Sequence, residues 1–189
     1  MKRIILLICL LLSGCGLLTT RDPAEPENRP RNYLTPTTPD ILINNLKESL
    51  KDGYLEYYLE CIVDQTFLNK RFKFYPTASA YQSFPVLNDW NLEGEKQYFN
   101  KLKSVITENT PVTLTFSNQS YNPQGDSSLV TADYQISFSA RDANFPHSYQ
   151  GFVEFKIFLD RRNQWVIVEW RDIKKESFLS WSDLKGRLY

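Results

Sequence analysis

The chain has 189 residues, of which 42% are apolar, enough for one packed domain and short for two. Its 22 Lys and Arg balance 22 Asp and Glu, which argues against a protein that holds nucleic acid by neutralising phosphates. Aromatic and charged fractions of 14% and 23% exclude a disordered polyelectrolyte, and one His with three Cys argues against a multi-ligand zinc or copper site; no cofactor is expected.

Lys2 and Arg3 precede an unbroken apolar run from Ile4 to Leu12. A membrane span needs ~20 apolar residues, so this run fits the apolar core of an export signal instead. It ends in Leu12-Ser13-Gly14-Cys15. This segment resembles the lipobox of bacterial lipoproteins. The resemblance implies cleavage after residue 14 and a diacylglycerol thioether on Cys15, which becomes the mature N-terminus. Two or three acyl chains, at ~0.8 kcal/mol per buried CH₂, hold a protein stably where one chain does not. The expected partner is therefore the membrane, through Cys15. Gly16 stands where Gram-negative sorting would require Asp for inner-membrane retention. The resemblance thus implies an outer-membrane protein facing the periplasm of the cell envelope.

Loss of residues 1–14 leaves 20 basic against 22 acidic side chains and, with Cys15 acylated, a single thiol at Cys61. One thiol closes no internal disulfide, so the mature fold must rest on packing. Cys61 lies within Leu59-Glu60-Cys61-Ile62-Val63, where it reads as a buried small hydrophobe. Five of the ten prolines fall between positions 23 and 39. Residues 15–37 accordingly read as a tether, roughly 25 Å long as a coil and ~65 Å if extended.

The folded domain is expected over 38–189. Thr38-Pro39 reads as a helix cap followed by Pro at the first helical position, with Leu42, Ile43, Leu46 and Leu50 on one face. Leu55, Tyr58, Leu59 and Ile62 mark a second short helix, and Phe67 to Tyr75 a hairpin strand. Residues 76–90 read as a loop, either a lid or a segment pinned by Tyr81 and Phe84. Asn91 caps a third helix that buries Phe99, Leu102 and Ile106, with Glu93 and Glu95 near its positive end. The period then changes to two. Val112, Leu114 and Phe116 form one apolar face, and Val130, Ala132, Tyr134, Ile136 and Phe138 another, across a turn at 122–126. Tyr149–Leu159 and Gln164–Ile173 form a further strand pair, with Gly151 as a place for a bulge or bend. Ser182 caps a final helical turn that Gly186 ends.

Helices first and a long meander afterwards indicate an α+β layer fold. The order looks like the nuclear-transport-factor-2-like (NTF2-like, or SnoaL-like) cone. The residues that carry this likeness are Thr38-Pro39, Asp64-Gln65-Thr66-Phe67, Phe72-Lys73-Phe74-Tyr75-Pro76 and the strand from Trp165 to Asp172. Trp90-Asn91-Leu92-Glu93-Gly94-Glu95-Lys96 and Trp181-Ser182-Asp183-Leu184-Lys185-Gly186 are similar to segments of bacterial lipoproteins in that group. The resemblance implies N-terminal helices packed on a curved, mainly antiparallel sheet, with a cavity between them. Tyr134, Phe116, Phe155 and Trp170 are the candidate cavity residues.

Isomerase-type members of the group use an Asp base and a Tyr or protonated Asp donor in that cavity. The strand faces offer no clear equivalent. Asp133 falls on a wet face, Glu169 with Arg171 reads as an exposed pair, and Asp64 and Asp172 serve equally as turn residues or at a pocket mouth. His147 reads as a solvated loop residue. No catalytic residue is named on this basis. The expected role is a non-catalytic, lipid-anchored domain that binds a small apolar or amphipathic ligand or an envelope protein. The alternatives are an isomerase or dehydratase, and a structural envelope component with a closed core.

Overall fold

The computed structural model describes residues 32–175 and 177–189. The leader, Cys15 and most of the tether lie outside these described residues. No helix among them is long and apolar enough to cross a membrane.

Helix α1 (Pro39–Asp52) starts where the Thr38 hydroxyl accepts from Ile41 N, and ends at Gly53 in the left-handed conformation, φ 69°. Leu42, Ile43, Leu46 and Leu50 are its buried face. Contact with the fold begins upstream of Thr38. Tyr33 is buried and stacks on Tyr57 at 4.0 Å, Asn45 Nδ2 donates to Leu34 O at 2.6 Å, and Trp165 N donates to Pro36 O. The short helix α2 (Leu55–Glu60) follows.

The Phe67–Tyr75 segment does not form the expected hairpin strand. Only β1 (Lys73–Tyr75) is extended, and it pairs in parallel with β5 (Trp165–Lys174). Residues 76–90 are also more ordered than a loop. Thr77 caps α3 (Ala78–Ser83), and a 3-10 turn spans Pro85–Asp89. Helix α4 (Leu92–Val105) is capped by Asn91, whose Oδ1 accepts from Glu93 N at 2.9 Å and Gly94 N at 3.2 Å.

Strands β2 (Thr113–Gln124), β3 (Ser127–Ser137) and β4 (Ser148–Leu159) complete a five-stranded sheet in the order β1-β5-β4-β3-β2. The expected turn at 122–126 shrinks to Gly125-Asp126, because Asn122 and Pro123 still pair with Leu129 and Ser128. Proline is tolerated there since β2 is an edge strand. Bulges lie between Ser117 and Ser120 and opposite Lys156/Ile157, not at Gly151, which stays in register with Tyr134 and Lys174. Gly151 has a different reason: a Cβ there would come within 2.5 Å of the Tyr134 hydroxyl. Its absence lets Tyr134 lie across β4 toward β5.

The last helix, α5 (Trp181–Arg187), corrects the expected C-terminus. Ser180 is its cap, in a capping box with Asp183, while Ser182 lies inside the helix and Gly186 does not end it. Trp181, Leu184, Lys185 and Leu188 are buried. This helix packs against α3, the 3-10 turn and β4, and reaches α4 through the Trp181 and Lys185 side chains.

Candidate functional site

A chain of rings crosses the interior of the cone. Phe116 meets Phe155 at 6.2 Å, Phe155 meets Trp170 at 4.9 Å, Trp170 meets Trp181 at 4.5 Å, and Trp181 meets Tyr134 at 5.3 Å. All four candidate cavity residues therefore gather on one side of the sheet. Between them stands Trp181, delivered by α5. Phe155, Trp170 and Tyr134 are buried and Phe116 is half-buried at the edge. Here these side chains pack against a helix of the same chain.

Two carboxylates lie in this interior; the sequence alone leaves Asp172 between a turn and a pocket mouth and sets Glu95 near the positive end of its helix. Asp172, 3% exposed, comes from β5. The bulge opposite Lys156/Ile157 resets the alternation of β5, so Trp170 and Asp172 are buried while Arg171 is exposed and pairs with Glu154 at 3.4 Å. Tyr134 OH donates to Asp172 Oδ1 at 2.7 Å, and Ser182 N and Oγ both donate to Oδ2. The Tyr134 hydroxyl in turn accepts from Trp181 N at 2.6 Å. Burial pushes the Asp172 carboxyl above the usual carboxylate range, while the donors from Ser182 and Tyr134 pull it back. Burial and the adjacent Asp172 charge push the Tyr134 phenol well above its ordinary value.

Glu95, fully buried, projects from the first turn of α4. It accepts from Tyr58 OH at 2.6 Å and Trp90 Nε1 at 2.7 Å, and pairs with the ammonium of Lys185 from α5. Lys185 is itself fully buried, and burial lowers its pKa while the Glu95 charge raises it. Trp181 Nε1 completes the network by donating to Tyr98 OH at 3.0 Å.

The remaining sequence candidates lie elsewhere. Asp133 is on the outer side of the sheet with Asn118 and Lys175, and Asp64 forms an exposed turn with Thr66. His147 is exposed. Cys61 is buried, and burial pushes its thiol up to about 12, the state of an unreactive core residue. Among the described residues no group of three or more His, Cys, Asp or Glu is arranged to hold a metal ion. An open cleft of about 370 Å³ lies outside the cone, at the ends of α1 and α4, lined by Leu50, Phe99, Leu102, Ile106, Pro111 and Val112.

Helices packed on a five-stranded curved sheet define the nuclear-transport-factor-2-like fold, and solved structures agree. An NTF2-like superfamily protein from Salmonella enterica serovar Typhimurium superposes with a TM-score of 0.52 at 13% identity, over 72% of this chain and 89% of its own. A provisionally named dehydratase of the NTF2-like family from Streptomyces avermitilis gives 0.53 at 9% identity, over 70% and 90%. A provisionally named aromatic ring hydroxylase from Novosphingobium aromaticivorans gives 0.56 at 10% identity, over 77% and 92%. No protein-family model and no curated protein sequence matches the chain. At such identities the shared property is the fold, and function must be argued from the residues.

Proposed function

We propose that the chain is a non-catalytic binding domain of the bacterial envelope, tethered to the outer membrane through acylated Cys15 and facing the periplasm. Its concave face takes a small amphipathic ligand. The observation that supports this reading most is the state of the interior carboxylates. Both oxygens of Asp172 and both of Glu95 already accept hydrogen bonds from groups of the same chain. A general base needs an oxygen within reach of the proton it removes. An aromatic wall around acids that are already hydrogen-bonded suits recognition instead. Native mass spectrometry of the full chain extracted in mild detergent tests the reading. A retained small molecule is the expected result, and an empty domain favours the closed structural component. Fractionation tests the anchor: Cys15→Ser is expected to leave the protein unprocessed or release it to the soluble fraction.

One observation favours a second reading. An Asp hydrogen-bonded to a Tyr inside the cone is the pairing that isomerase-type members employ, and the Streptomyces neighbour is provisionally named a dehydratase. On that reading α5 withdraws during turnover. The discriminating result is loss of a measurable conversion in Asp172→Asn with ligand binding retained.

A further inference from the structure

Lys185 brings a charge into the cone that packing does not require. Its Nζ lies 3.7 Å from the Trp170 ring centroid and 4.1 Å from that of Phe74, with Tyr98 at 5.5 Å and Trp90 at 5.7 Å. Glu95 supplies the counter-charge. Aromatic faces and one carboxylate around a single ammonium have the composition of an organic-cation receptor: the ring quadrupoles favour a desolvated positive charge, and the carboxylate balances it. As a device for stability the arrangement is poor, because a buried ion pair is seldom better than apolar side chains of the same volume.

Two more observations bear on the same place. Trp170 Nε1 is buried and has no hydrogen-bond partner among the described residues. The indole that Lys185 covers therefore carries an unfilled donor at its edge, which an ammonium, itself only a donor, cannot satisfy. Helix α5, which carries Lys185, has only seven residues. Helices shorter than about 12 residues are marginal by themselves, so α5 holds its shape through contacts with the cone and loses it when those contacts are exchanged.

We propose that Trp170, Phe74, Trp90 and Tyr98 with Glu95 form a binding site for an organic ammonium group, and that Lys185 fills it as an internal stand-in which such a ligand displaces. The proposal rests on the binding reading above and names its ligand class: a primary or quaternary ammonium on a short alkyl arm, with an acceptor to meet Trp170 Nε1. A free amine and a lipid headgroup share this chemistry. While Lys185 occupies the cage, the apparent affinity is the intrinsic one multiplied by the fraction of time that α5 is out.

Calorimetric titration of the full chain with tetramethylammonium chloride, against sodium chloride at equal ionic strength, tests the proposal. K185A empties the cage. G186A leaves the cage intact but loosens α5, since a Cβ there would clash with the Phe84 ring. Both variants are expected to bind tetramethylammonium at least about tenfold more tightly than the wild-type chain. The K185A/E95Q double variant is expected to lose that gain. If K185A unfolds, tetramethylammonium but not sodium chloride is expected to restore its near-ultraviolet circular dichroism. Binding no tighter than wild type in both variants, with no salt-specific recovery, overturns the proposal.

Free choline and phosphatidylcholine vesicles, with phosphatidylglycerol vesicles as reference, separate the two sources. Capture of either choline form supports the cage, and capture of neither counts against it. An uncharged ligand found in the cone by native mass spectrometry overturns the ammonium class while leaving the binding function standing.

Discussion

The two ends of α5 are fastened to the cone in different ways. At its start, Asp172 takes short neutral donors, Ser182 N and Oγ and the Tyr134 hydroxyl, which also holds Trp181 N. Near its end, the Lys185 ammonium faces Glu95 within a ring of aromatic side chains. The first arrangement is a local latch, in which every donor is built into α5 or β3. The second sets a full charge on a flexible stem against a fixed counter-charge, so another cation of suitable shape can replace it. One end holds the helix and the other can be exchanged.

Substitutions can break that comparison. D172A strands the Tyr134 and Ser182 donors in the interior and is expected to cost the most, about 4–5 kcal/mol in a urea unfolding experiment. K185M leaves Glu95 buried without its ammonium and is expected to cost about 3 kcal/mol, of which K185M/E95Q recovers most. No partner change of that kind rescues D172A, because its losses are spread over three donors. Equal recovery at both ends would erase the distinction. G186A crowds Phe84 and is expected to cost about 1–3 kcal/mol.

A purely pH-dependent effect comes from Cys61, away from both ends. Its thiol is raised from 9.0 to about 12, so between those values the folded chain keeps a proton that the unfolded chain releases. Stability contributed by Cys61 therefore falls as pH rises through this window, by up to about 1.4 kcal/mol per pH unit. Buried Lys185, lowered from 10.5, has the opposite slope below that value. Comparison of wild type with C61A isolates the thiol: the stability difference should change above pH 9 and stay flat below it.

The sheet and the site were unequally legible in the sequence. Ala132, Tyr134 and Ile136 alternate with polar residues because β3 has one wet face, and that period survives in sequence. Asn91 and Thr38 announce their helices through local capping chemistry. Asp172 and Glu95 carry no such mark. An acid at a strand end or in a first helical turn reads as exposed, and only distant donors (Tyr134, Ser182, Lys185) make its burial tolerable. The bulge that turns Asp172 inward depends on the register with β4, which no local pattern records. The segments around Trp90 and Trp181 did stand out by resemblance. They are the two that meet, through Glu95 and Lys185, yet nothing in either segment alone reveals the partner.

Hydrogen exchange of the α5 backbone amides in the full chain tests the central claim most directly, namely that this helix is an integral filling of the cone. The account predicts protection of the Leu184 and Leu188 amides approaching that of β4, lost together in D172A while β3 and β4 remain protected. Exchange of those amides at the rate of an unstructured peptide in the wild-type chain would contradict it.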